Sequence, residues 1–269
     1  MFHFMMDAFL GYRSRLDDIL LVHELLEEIP IKMGLKPVMQ PFLLPYYNGV
    51  VPEDCGISAF IFLAGGHFTI HTFSFREAYF VDLLYPQPLD TNRLMNFIKN
   101  AFPAEKMTQH NVERNQKESF PTKLKINEAL DFGPHLFLDF NNYQGLKSLD
   151  DLFELFDALP GAIGMTPIMR PYGIKGKYQD QKILSIMTMI AESHISLHYF
   201  PDKQQAYFDL FSCRFFDYMK VSGKLKEVFN SDITNEILIP RGSDYQQFRN
   251  VPDLQTYRSK AWLENLSFH

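Results

Sequence analysis

Only two of the 269 residues are cysteine, Cys55 and Cys213. Two cannot build a disulfide framework, so a reducing cytosolic setting is expected. Dense basic runs are missing and the net charge is −6, which gives no support for a nucleic-acid partner. Long apolar runs are missing too: the longest, near Ile57–Ala64 and Ile183–Ala191, have strand length, so no membrane span is expected. The apolar start MFHFMMDAFL carries no basic leader and no small-residue cleavage site, and it does not read as a signal peptide. Glycine and proline, at 14 and 16, are modest beside 26 phenylalanines, a balance that argues for a packed core over disorder. A soluble cytosolic protein of one large or two small domains is expected.

What the chain does have is a signature that occurs twice. Residues 192–198 read ESHISLH and residues 65–71 read GGHFTIH. The second copy places Ser193 after Glu192; the first has Gly66 after Gly65. Both keep a histidine five residues on, His198 and His71. The repeat runs further. MGLKPVMQP at 33–41 matches IGMTPIMRP at 163–171, RLDDIL at 15–20 matches SLDDLF at 148–153, and HFMMD at 3–7 matches HLFLD at 135–139. From Gly66/Ser193 to Phe102/Phe229 the copies align without a gap. Two copies are too few for a solenoid. The repeats are expected over residues 1–120 and 130–245, with a polar link beginning at 115–121 and a tail, 246–269, that holds the single tryptophan, Trp262.

Each copy has the same coarse layout. A strand opens it (2–9; 135–141), and an amphipathic helix follows, with Leu149, Leu152, Phe153, Phe156 and Leu159 at helical spacing and Ser148/Asp151 as a capping box. β-rich runs come next (60–64, 67–73 and 78–85), then a helix from Asp90 or Asp217 and a last strand ending near Arg114 or Arg241. This pattern predicts an α+β fold, helices covering one face of a mostly antiparallel sheet. If the free faces of the two sheets pack together, the result is a four-layer α/β/β/α sandwich, a pseudo-dimer within one chain; a homo-oligomer of such chains is left open.

A serine after a glutamate at the start of a strand is unremarkable alone. Ser193 has three companions: His198 five residues on, Cys213 twenty on and Ser185 eight before. The segments ESHISLHYFPD (192–202) and DLFSC (209–213) resemble the S-adenosylmethionine decarboxylase family, particularly its short prokaryotic branch. The resemblance covers about 240 residues across both copies. It implies a proenzyme that cuts itself at Glu192–Ser193, Ser193 attacking the Glu192 carbonyl carbon to give an ester. β-Elimination would then leave a pyruvoyl cofactor at the new N-terminus, with chains 1–192 and 193–269. The pyruvoyl ketone would form a Schiff base with a small-molecule amino substrate and take up the electrons released with CO₂. The resemblance further implies Cys213 as the acid that protonates the decarboxylated carbon and a Ser/His pair that assists self-cleavage.

Two such pairs are present, Ser58/His71 and Ser185/His198, each with thirteen-residue spacing. On a regular strand Ser193 and His198 point to opposite faces. The family joins the nucleophile of one half to the Ser/His pair of the other, so Ser193 and Cys213 are expected to work with Ser58 and His71. Copy one has lost the serine (Gly66) and the cysteine (Pro86) but keeps that pair. Other family contacts are missing. The ribose-binding glutamate is replaced by Phe75 or Asp202, and the adenine-stacking aromatic by Pro52 or Gln179. A site built for a polar group discriminates strongly, so substrate choice is open between S-adenosylmethionine, in spermidine biosynthesis, and arginine or ornithine. A non-catalytic paralogue that regulates a true decarboxylase is the rival reading.

The remaining residues read as structure. His67/His71 and His194/His198 are spaced i, i+4; on a strand that is roughly 13 Å, too far for one metal, and no metal site is expected. Cys55 and the Met-rich ILSIMTMIA suit a core, and Glu24–Glu28 a solvated helix face.

Overall fold

Strand alternation decides which face each residue serves, and here both faces of both sheets are apolar enough to be covered. The structure, a computed structural model, describes residues 1–46, 55–114, 125–191, 193–231, 233–243 and 245. Glu192, Pro52, the start of the link at 115–121 and the tail with Trp262 lie outside the described residues. The first repeat runs β1 (Phe2–Gly11), α1 (Arg13–Leu16), α2 (Ile19–Lys32), β2 (Phe42–Tyr46), β3 (Gly56–Leu63), β4 (Gly66–Phe73), a 3-10 turn (Ser74–Arg76), β5 (Ala78–Tyr85), α3 (Thr91–Ala101) and β6 (Ala104–Glu113). The second runs β7 (Gly133–Asn141), α4 (Leu149–Ala162), β8 (Tyr172–Tyr178), β9 (Gln181–Ile190), β10 (Ser193–Phe200), a 3-10 turn (Pro201–Lys203), β11 (Gln205–Ser212), α5 (Tyr218–Phe229) and β12 (Ile233–Arg241).

Each repeat forms a six-stranded antiparallel sheet, ordered β2-β3-β4-β5-β1-β6 and, with equivalent strands in equivalent places, β8-β9-β10-β11-β7-β12. Along β1, Phe4, Met6 and Ala8 pack under Val22, Leu26 and Ile29 of α2, with Leu94 and Ile98 of α3 in the same core. Along β10, Ile195 and Leu197 do the same under Leu152 and Phe156 of α4 and Leu225 of α5. The alternate residues face the other sheet: Phe60 and Phe62 meet Met187 and Met189, Phe80 meets Phe211, and Met5 meets Phe137. The layers are therefore α/β/β/α. Each fully buried Phe on these faces contributes roughly 2–3 kcal/mol.

Local chemistry sets the ends of the helices. Ser148 caps α4, its Oγ accepting from Asp151 N at 3.0 Å, while the Asp151 carboxylate accepts from the Ser148 hydroxyl at 2.5 Å. The capping box is thus closed side chain to side chain, because Asp is one methylene too short to reach the cap backbone. The matching position in copy one is Arg15, which cannot cap. There α1 makes a single extra turn and the cap moves to Asp18, whose Oδ1 accepts from Leu21 N at 3.0 Å. The repeated Gly-x-x-Pro segments bridge the ends of β3 and β9: Val38 N donates to Phe62 O and Ile168 N to Met189 O, both at 3.0 Å.

Candidate active site

The inner faces of the two sheets are not uniformly apolar. Between them lie His3, His67, His71, His135, His194, His198, Asp7, Asp82, Asp139, Asp209, Arg114 and Arg241, all buried. They are arranged about a pseudo-twofold axis. Ser58 Oγ lies 2.9 Å from His71 Nδ1, and His71 Nε2 lies 2.8 Å from His194 Nδ1 across the sheets. The mirror chain is Ser185 Oγ to His198 Nδ1 at 2.8 Å and His198 Nε2 to His67 Nδ1 at 2.8 Å. Each Ser/His pair thus reaches the other copy's signature. The Ser58/His71 pair ends at His194, the residue after Ser193, and the Ser185/His198 pair at His67, the residue after Gly66.

Ser193 opens β10, paired with Ile190 on one side and Ser212 on the other, and the ladder runs to Tyr199 without a register shift. Its φ is +150°, a conformation that side chains rarely adopt and that costs on the order of 1–3 kcal/mol. Its hydroxyl is buried and has no hydrogen-bond partner among the described residues. The opposite hairpin is closed to a side chain: a Cβ on Gly66 would sit 1.8 Å from Leu84 O, and one on Gly65 2.6 Å from Pro86 Cγ. Cys213 follows β11 one residue beyond Ser212, half-buried against an aromatic cluster of Phe9, Phe73, Phe80, Phe132, Phe211 and Tyr245. Phe75 sits half-buried in the 3-10 turn after His71, while Asp202, its counterpart, accepts from Lys182 N at 2.9 Å. Gln179, at φ +46°, lies in the β8–β9 turn. Two grooves of about 460 and 580 Å³ flank Phe215–Asp217 just past Cys213, and neither is lined by Ser193, Cys213 or His71.

Burial disfavours the charged form of five of these imidazoles. His71 is pushed down to about 4, by burial first, with Asp82 opposing and Arg241 adding to the fall. His67, His135, His194 and His198 lie well below the usual imidazole range, burial again leading. The cationic charge sits on two arginines, one at the end of the last strand of each repeat. Arg114, from copy one, enters copy two: Nε donates to Asp139 at 2.7 Å, Nη1 to Asp209, and Nη2 to Leu138 O and Phe208 O. Arg241, from copy two, enters copy one: Nε donates to Asp7 and Nη1 to Asp82, both at 2.6 Å, and Nη2 to Met6 O and Val81 O. Burial would raise the Asp82 carboxyl, but Arg241 holds it well below the usual carboxylate range. Arg241 Nη1 also lies 3.0 Å from His135 Nδ1, so that nitrogen must accept and the His135 proton is fixed on Nε2. An arginine at the same place in both copies was the signal available in the sequence.

Among the described residues no group of three His, Cys, Asp or Glu could hold a metal ion, and no helix is long and apolar enough to cross a membrane. The family model for S-adenosylmethionine decarboxylase matches the chain over residues 2–115 and 134–242. Among solved structures the chain is similar to the crystal structure of the adenosylmethionine decarboxylase from Aquifex aeolicus VF5. The identity is 20%, over 45% of this chain and 96% of that one, with a TM-score of 0.37. It is also similar to an unknown protein from Galdieria sulphuraria at 7% identity, over 89% of this chain and 96% of that one, with a TM-score of 0.22. None of the curated proteins matches.

Proposed function

Because the chain belongs to the S-adenosylmethionine decarboxylase family, we propose that it is a self-cleaving, pyruvoyl-dependent decarboxylase whose one working site combines halves of both repeats. The observation that carries this reading is the surroundings of Ser193. Its hydroxyl is buried and without a partner among the described residues, its backbone is strained, and copy one's Ser58/His71 pair is bonded to the next residue, His194. Strain at Ser193 raises the energy of the uncut chain, and breaking the Glu192–Ser193 bond would release it. The neutral imidazole of His71 can take up a proton during cleavage.

The surroundings fit a keto group at residue 193: among the described residues there is no hydroxyl contact to lose, and burial excludes water. When present, that group supplies an electron sink for the departing carboxyl carbon. Cys213 follows the strand paired with Ser193 and carries a thiol on the same end of the sandwich, in keeping with a proton donor to the product carbon. Ser185 and His198 are the mirror pair, and they face a Gly66 that cannot hold a hydroxyl without moving Leu84.

S-adenosylmethionine is the family's substrate and the first expectation here, which would place the enzyme in spermidine biosynthesis. A second reading, decarboxylation of arginine or ornithine, is favoured by Phe75, which offers no carboxylate to a ribose. The test is CO₂ release from carboxyl-labelled S-adenosylmethionine, arginine and ornithine. Release from one of the three by the wild-type chain, and from none by Ser193→Ala, is expected. A chain that releases CO₂ from none is a non-catalytic paralogue and overturns the proposal.

A further inference from the structure

His71 has no nitrogen to spare. Its Nδ1 is committed to Ser58 at 2.9 Å and its Nε2 to His194 Nδ1 at 2.8 Å, with the two rings stacked at 5.0 Å and 8°. A neutral imidazole has one N–H and one lone pair, so both are used. The open nitrogen of the chain is His194 Nε2, fully buried and without a hydrogen-bond partner among the described residues. We propose that His194 is the positioning residue of self-cleavage, fixing the tautomer of His71 and receiving the proton that Ser58 and His71 pass inward. The inference rests on the reading that Ser193 is the scissile serine.

The proton count closes within the chain. At rest the Ser58 hydroxyl donates to His71 Nδ1, His71 Nε2–H donates to His194 Nδ1, and the His194 proton sits on Nε2. When Ser193 Oγ attacks the Glu192 carbonyl carbon and its hydroxyl proton passes to Ser58 Oγ, the Ser58 proton moves to His71 Nδ1 and the His71 Nε2 proton moves to His194 Nδ1. Ser58 and His71 end neutral and His194 ends as an imidazolium. The bond from Ser193 Oγ to the Glu192 carbonyl carbon forms, the bond from that carbon to the Ser193 nitrogen breaks, and the reverse sequence returns the proton to that nitrogen.

The groups around His194 shape that charge. His71 and His67 face it from β4 and His135 from β7, His3 of β1 and Asp82 of β5 act on it through space, and Arg241 of β12 lies behind them on Asp82 and His135. The Asp82 carboxylate favours the imidazolium, and its Oδ2 has no hydrogen-bond partner among the described residues. Burial and the neighbouring histidines oppose it, so the charge is held only in passing. The mirror chain supplies an internal control. His67 makes the same contact to His198 with the same burial, but it adjoins Gly66, where no hydroxyl exists.

Asparagine keeps a hydrogen-bonding group near the place of the imidazole Nδ1 and cannot take up a proton, so His194→Asn and His67→Asn form the test. Conversion of the full-length chain to its two fragments is followed by mass from pH 6.5 to 9, where the chain stays folded. His194→Asn is expected to slow cleavage at least tenfold and to shift the inflection of its pH profile, while His67→Asn, although it also faces His194, is expected to slow cleavage by less than a third as much. Equal slowing by both, or an unshifted profile for His194→Asn, overturns the inference. A wild-type chain that never cleaves is a different result: it overturns the Ser193 reading itself and the relay with it. In uncleavable Ser193→Ala, imidazole ¹⁵N spectra supply a readout independent of rate. His71 is expected to carry its proton on Nε2 and to lose that preference in the His194→Asn variant but not in the His67→Asn variant. A His71 tautomer indifferent to His194 refutes the positioning role.

Discussion

Lowering the pH should unfold this protein steeply, because five histidines are buried neutral. His67, His71, His135, His194 and His198 all have values depressed below the ordinary 6.5, His71 to about 4 and the rest well down. In the unfolded chain each regains the ordinary value and takes up a proton below about pH 6.5. The folded chain does not, so the unfolded state binds more protons throughout the window. Stability is therefore fully present above about pH 6.5 and is lost as pH falls toward 4 and below. One proton is linked to about 1.4 kcal/mol per pH unit, so five approach about 7 kcal/mol per unit near pH 5.5. From pH 7 to pH 5 the loss is about 10 kcal/mol, comparable with the total of roughly 5–15 kcal/mol that holds an ordinary domain together. Urea unfolding of the Ser193→Ala chain, followed by circular dichroism at half-unit pH steps, measures this directly. Proton uptake in weak buffer at pH 5.5 should be at least about four per chain, by the same linkage, with His110 adding to the five. A midpoint that is flat from pH 7 to 5, or uptake near one proton, would show that the histidines are not buried neutral between the sheets.

Three further outcomes follow from named contacts. Arg241→Met leaves Asp7 and Asp82 buried without their cation and should cost about 3–5 kcal/mol by urea unfolding. In an Asp7→Asn/Asp82→Asn background it should cost less than half as much, and equal costs would mean the clasp is not the source. Gly66→Ser puts a Cβ 1.8 Å from Leu84 O, so it should destabilise by at least about 2 kcal/mol and create no second cut; a chain cut at both hairpins would contradict the closed geometry. Cys213→Ser should cleave at the wild-type rate yet release CO₂ at least tenfold more slowly, and unchanged release would remove Cys213 from the reaction.

The duplication and most strands were legible because both leave periodic traces. The run 78–85 is β5 end to end, and Asp90 and Asp217 cap α3 and α5 as their positions suggest. Strand 2–9 extends to Gly11, and 135–141 begins at Gly133, since pairing to neighbouring strands carries both past their apolar runs. The helix start in copy one differed because Arg15 stands where copy two has a capping serine. The contents of the inter-sheet space were harder to read. Alternation places His67, His71, His194 and His198 on one face of their strands, but it does not say which residue of another sheet each will meet. The exchange of Arg114 and Arg241 between repeats is invisible for the same reason: it is a property of two sheets docked about an axis, and no local pattern encodes the partner.

The central claim is that Ser193 is the site at which the chain cuts itself and carries its reactive group. Intact-mass analysis of the purified full-length protein tests it most directly. Two polypeptides are expected, 1–192 and 193–269, the smaller with a ketone in place of its N-terminal amine, reducible by borohydride. A single unbroken chain of 269 residues, unchanged after prolonged incubation, would contradict it.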